Sequence, residues 1–171
     1  MADANVERRA RPDLYAYLLV RNDLPSLGRG KAYAHSMHAG NHMTWQLAVM
    51  PLMRNEPIRD DVTRWHDQGG GFGTTAAIGN RGQIDLATLE AVTEAARTLG
   101  HQAGIVVDTS YPYEVDVEIY GLLNQTIHTQ PADRTADGYR CYRRETTAGW
   151  IFGEKKALGV LLKRFGLVPN D

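Results

Sequence analysis

The chain has 171 residues, 43% of them hydrophobic and 23% charged, with a formal net charge of −1, the balance of one soluble globular domain able to bury a sizeable core. A charge so close to zero excludes a global field that draws the protein onto nucleic acid, so any RNA-binding surface must be a local patch. The single cysteine, Cys141, excludes an intramolecular disulfide and fits a reducing compartment, and no apolar run approaches the roughly 18–20 residues of a membrane span.

Residues 1–12, MADANVERRARP, are polar and charged without an apolar signal-peptide core and read as a disordered leader. The domain is then expected over 13–171 and in the cytoplasm. LYAYLLV, Leu14 to Val20, is a buried strand stopped by the turn formers of RNDLPSLGRG. A helix is predicted from Lys31 to about Met50, with Pro51 stopping it or opening a new turn. A shorter helix or turn is expected around Asp60 to His66, followed by a glycine-rich loop and a short strand in TTAAIGN.

DLATLEAVTEAARTLG carries the clearest helical signal. Asp85 can cap its start, Leu86, Leu89, Val92 and Ala96 form one stripe, and Gly100 ends it. AGIVVDTS reads as a second apolar strand ending in Asp108. In YEVDVEIYGLL, Val115, Val117 and Ile119 alternate with Asp116 and Glu118, which predicts a half-exposed strand. Two more strands joined by a polar turn are expected up to Gly153, then an amphipathic helix whose Leu158, Leu161, Leu162 and Phe165 face the core. The alternation of strands and helices points to α/β with a mixed sheet.

Several places carry candidate chemistry. Gly30-Lys31 opens a helix, where unpaired N–H groups and the dipole favour an anion, yet a solvated Lys31 explains the pair equally simply. The nucleotide-binding spacing GxxxxGK[ST] is absent. His35, His38 and His42 fall at i, i+3 and i+7, a spacing compatible with a transition metal or with one histidine packed inward and two at the surface. QGGGFGTT is better read as a flexible connection than as a phosphate cradle, and Cys141 has no partner signature of a nucleophile. Arg140, Arg143 and Arg144, interleaved with Tyr139 and Tyr142, suit phosphates and bases or a solvated strand face. Asp108, at a strand's carboxyl end, lies where open α/β sheets place ligands, and Lys31 follows another strand end. An ion pair between them would keep the carboxylate charged.

Together, YLLVRNDLPSLGRGKAYAHSMHA resembles the opening of the peptidyl-tRNA hydrolase 2 family, in which V-R-x-D-L ends a strand and G-K-x-A-A-Q-x-x-H-A starts a helix. Val20, Arg21, Asp23, Leu24, Gly30, Lys31, Ala34, His38 and Ala39 stand at matching positions. AGWIFGEKKALGVLLKRFGL is similar to the closing strand and helix of the peptidyl-tRNA hydrolase domain-containing branch, and the likeness covers about three-quarters of the chain. It implies a three-layer α/β/α domain with a small mixed sheet, often dimeric, that cleaves the ester between peptide and tRNA without metal or organic cofactor.

By position, Lys31 would hold the tRNA phosphate or terminal ribose region, His38 would support the site, and Asp108 would orient or activate water. Arg21, Asp23 and Gly30 would then belong to the substrate side, with Arg140, Arg143 and Arg144 as further RNA contacts. His35 stands where the family keeps glutamine, so it completes the catalytic set with a ring instead of an amide. After Asp108 the chain reads Thr-Ser-Tyr-Pro-Tyr113 in place of A-G-x-T-Q, which puts Pro112 where a threonine hydroxyl is expected. The lysine that usually opens the second strand corresponds to Thr74 or Thr75. Residues from about 114 to 140 exceed the family minimum and read as an inserted β-hairpin. Three readings result: a peptidyl-tRNA esterase, a catalytically weakened RNA- or protein-binding module on the same fold, and metal-dependent hydrolysis through the histidines.

Overall fold

The structure, a computed structural model, describes residues 13–25, 28–68, 70–71, 73–79, 84–126 and 133–167. The leader over 1–12 and the turn over 127–132 lie outside them. Strand β1 (Leu14–Val20) leads to helix α1 (Arg29–Thr44), which continues through a π-helical stretch (Trp45–Val49) into a last turn (Met50–Met53). Helix α2 (Asp60–Gln68), strand β2 (Thr75–Ile78), helix α3 (Leu86–Thr98) and strand β3 (Gln102–Val115) follow. Helix α4 (Val117–Thr126), strands β4 (Asp133–Arg134) and β5 (Tyr139–Glu154), and helix α5 (Lys155–Arg164) complete the chain.

The strands form one open mixed sheet of order β2-β1-β5-β3, with β4 added on β5. β1 and β2 are parallel, and β5 is antiparallel to β1, β3 and β4. Successive side chains of a strand point to opposite faces, and both faces of β1 are covered. Ala16 and Leu18 pack with Trp150 and Phe152 against Ala39, Met43 and Leu47 of α1 and its π turn and Val62 and Trp65 of α2. Tyr17 and Leu19 pack with Ile151 against Leu89, Val92 and Ala96 of α3 and Leu158, Leu161 and Leu162 of α5. Two cores on one sheet make the expected three-layer α/β/α arrangement.

Local signals worked where one residue fixes an end. The Asp85 carboxylate accepts the Thr88 N–H at 2.8 Å and starts α3, and Gly100 ends it with φ of +82°. Leu86 is 37% exposed and lies off the buried stripe. Of the two roles expected for Pro51, the structure has the second: it opens the last turn, Met50–Met53, from the first positions of that turn. Across the π stretch the bonding register changes, so the Met50 N–H donates to the Trp45 carbonyl, and the missing proline donor falls where that change occurs.

Two strand boundaries differ from expectation. β3 does not end at Asp108 but continues to Val115, with ladder irregularities between Val106 and Val107 and between Asp108 and Tyr111. Val117 and Ile119 lie in a helix, not a strand. Asp116 accepts the Ile119 N–H at 2.7 Å and caps α4, and a cap outweighs a short alternation. The distal part of the β3–β5 ladder pairs Tyr111–Val115 with Tyr139–Arg143, and of the stretch 114–140 expected as a hairpin only Glu114–Val115 and Tyr139–Arg140 belong to it. Its connection carries α4 and β4, and β4 turns into β5 through a Thr135 N–H to Gly138 carbonyl bond of 2.9 Å.

Candidate active site

The start of α1 and the irregular middle of β3 bring the sequence candidates together around one ring. Tyr111, next to the β3 irregularity, is 1% exposed. Lys31, in the first turn of α1, holds its Nζ 5.3 Å from the Tyr111 ring centroid. One helical turn on, the His35 ring lies 6.0 Å from that centroid and 6.3 Å from the ring of His38. His35 is 3% exposed, and its Nδ1 is buried without a hydrogen-bond partner. Burial pushes its pKa below the ordinary histidine value, the positive charges of His38 and Lys31 push it further, and the Asp108 carboxylate opposes them. His35 is therefore held neutral near pH 7.

Asp108 is half-buried, its charge acts on His35, and its Oδ1 accepts the Ser110 N–H at 2.8 Å. That bond fixes the carboxylate beside the irregular stretch. Neither Asp108 nor His35 belongs to the lining of the neighbouring cleft. The expected ion pair with Lys31 is not formed, and the lysine instead lies over the Tyr111 ring. His38 is exposed on α1. His42 points away from this group, because its Nδ1 accepts the Trp150 indole N–H at 2.9 Å and burial lowers its pKa. Among the described residues no three His, Cys, Asp or Glu side chains are grouped to hold a metal ion.

Beside Lys31 and Tyr111 opens a cleft of about 840 Å³ whose other wall is the distal ribbon, with Pro112, Tyr113, Arg140, Tyr142 and Arg143. Arg140 and Arg143 are thus brought to the site, whereas Arg144 is exposed on β5 outside that lining. Tyr139 stacks on Tyr120 of α4 at 4.0 Å and does not line the cleft. Gly30 lies exposed in the first turn of α1 with open space around it.

Arg21 is buried and committed to neighbours. Its Nε and Nη2 bind the Asp23 carboxylate at 2.8 and 2.7 Å, and its Nη1 binds Glu145 and the Thr146 carbonyl. The guanidinium holds the Asp23 carboxyl below its usual pKa. Glu145 uses its second oxygen on Arg143 at 2.7 Å. Arg21 and Asp23 therefore reach the cleft through Glu145 and Arg143, by positioning. Sequence reasoning missed Tyr111 and Glu145; the signal for Tyr111 is an aromatic residue following a carboxylate in TSYPY, which gains meaning only once the strand runs past Asp108.

Compared with protein-family models and with curated proteins, the chain matches none. No helix among the described residues is long and apolar enough to cross a membrane.

Proposed function

We propose that the protein is a peptidyl-tRNA hydrolase-like esterase that cleaves the ester between a peptide and tRNA by attack of water. The observation that supports this most is the packing of Lys31 and His35 against Tyr111, with Asp108 near enough for its charge to act on His35, beside a cleft lined by Lys31, Arg140 and Arg143. Asp108 orients and deprotonates the water as its oxygen bonds to the ester carbonyl carbon. Lys31 stabilises the charge that develops on the carbonyl oxygen. The ribose–oxygen bond to that carbon then breaks, and the ribose oxygen takes back the proton. Neutral His35 packs under the group, and exposed His38 supports it from the next turn. No metal or organic cofactor enters this scheme. A cytoplasmic location and a homodimer belong to the same reading.

The test is release of peptide from N-acetyl-aminoacyl-tRNA by the purified protein. Lys31→Ala and Asp108→Ala should each lower turnover by at least about 100-fold. Undiminished turnover in both removes the roles assigned to them. A second reading, a weakened RNA- or protein-binding module, is favoured by Pro112. It lines the cleft with neither hydroxyl nor N–H where the related motif carries threonine. An inactive wild-type protein that still binds RNA in a salt-sensitive way supports that reading.

A further inference from the structure

The distal ribbon is built in more detail than a solvated strand face requires. Pro112 lies opposite Tyr142 and Glu114 opposite Arg140 in the ladder, and all four line the cleft. The Tyr142 hydroxyl donates to Asp133 of β4 at 2.8 Å, which anchors the phenol ring at its far end. Arg143 is anchored from the other side by Glu145, with its guanidinium 5.2 Å from the Tyr113 ring centroid. Among the described residues, Arg140 makes an ion pair of 3.2 Å to Glu114, both groups being exposed, and an exposed pair of this kind leaves the arginine charge available to a ligand. Counting Lys31, three cations and one carboxylate line the cleft, although the whole chain is slightly acidic.

We infer that this ribbon is a reader of single-stranded RNA, in which the Pro112–Tyr142 wall takes the face of an unpaired base and Arg140 and Arg143 take the adjacent phosphates. The inference rests on the hydrolase reading and names the part of the substrate this wall receives, the unpaired nucleotides next to the ester. Single strands fit because a base can cover an aromatic plane only when it is splayed from a duplex. An acidic peptide would satisfy the arginines but leave the anchored Tyr142 ring without use.

The probe is a fluorescently labelled single-stranded RNA hexamer without an ester, measured by anisotropy over a range of KCl concentrations beside an RNA duplex. Two phosphate contacts give a slope of log affinity against log salt near about −1.4, which Arg140→Ala flattens by about 0.7. Tyr142→Ala weakens binding roughly tenfold or more, whereas Tyr142→Phe, which keeps the ring and loses the anchor, retains most of it. Melting curves of each variant separate these effects from unfolding. Binding of the duplex as tight as the hexamer, an unchanged Tyr142→Ala affinity, or equal binding of a glutamate-rich peptide overturns the inference. Because the probe has no ester, failure to bind it overturns the inference even where peptidyl-tRNA is hydrolysed. Binding without hydrolysis sinks the esterase reading and leaves the ribbon's role supported.

Discussion

β3 and β5 form one antiparallel ladder with two unlike halves. In the half that pairs Gln102–Val106 with Ala148–Phe152, residues are covered by helices, and Ala148, Trp150, Ile151 and Phe152 are all buried. In the half that pairs Tyr111–Val115 with Tyr139–Arg143, Tyr111 and Cys141 are buried, and the other positions carry half-buried or exposed tyrosines, arginines, a proline, a valine and a glutamate. Backbone hydrogen bonds are common to both, so the difference lies in what the side chains exclude. Apolar burial on both sides makes the inner half intolerant of any change in volume, whereas in the outer half burial is confined to Tyr111 and Cys141 and the remaining side chains are held by ring stacking and surface ion pairs. The join between them is the Asp108–Tyr111 irregularity together with the Asp23–Arg21–Glu145–Arg143 chain of ion pairs. The candidate site sits at that join, where rigid sheet meets exposed ribbon.

Substitutions at the join should have the largest effect. Arg21→Met strands the Asp23 carboxylate and leaves Glu145 with Arg143 alone, and with the arginine side chain only 8% exposed it should cost about 3–5 kcal/mol in chemical denaturation. A loss below about 1 kcal/mol would show that the two halves do not depend on this node. Next comes the inner half. A Cβ added at Gly104 meets the Trp150 ring at 2.6 Å, so Gly104→Ala should cost about 1–3 kcal/mol. Arg140→Ala in the outer half should stay within about 0.5 kcal/mol. Similar costs for both would erase the distinction between the halves.

Acid should act through His35 and His42 of α1. His35 and His42 both have pKa values lowered from 6.5 by burial. The folded protein therefore binds fewer protons than the unfolded chain as pH drops below that value. The stability is fully present above about pH 6.5 and is lost as pH falls through the depressed folded pKa values. Melting temperatures between pH 8 and pH 5 should fall, and His35→Gln should make the fall shallower. Parallel pH curves for the two proteins would mean that His35 carries no penalty for charge.

The stack beside the outer half should contribute less than the join or the inner half. Tyr120→Ala removes the stack on Tyr139 and should cost about 0.5–1.5 kcal/mol. Amide exchange should quicken over 139–143 and stay unchanged over 102–106. Faster exchange in both segments would make ribbon and sheet one cooperative unit.

Much of the fold was legible because its signals are local. LYAYLLV has too few polar atoms to lie at a surface, Asp85 and Gly100 mark the ends of α3, and Leu158, Leu161 and Leu162 recur at helical spacing. An error arose where two local signals compete: the alternation in VDVEI outweighed the cap at Asp116. Lys31, His35 and Asp108 were candidates by residue type, but the ring against which Lys31 and His35 pack was not, since Tyr111 enters through a ladder irregularity with no sequence signature of its own.

The sequence by itself determined the class of fold and which charged and aromatic residues were available, because burial pattern and capping act over a few neighbours along the chain. Only the tertiary structure decided their tasks. Arg21 became a buried tie, while Arg143 and Arg140 became walls of a cleft. Tyr139 went to hold a helix, and Tyr142 turned toward the opening. Side chains of the same type diverge in this way because partner and exposure are set by residues distant in sequence, as when Glu145 divides its two oxygens between an arginine at position 21 and one at position 143.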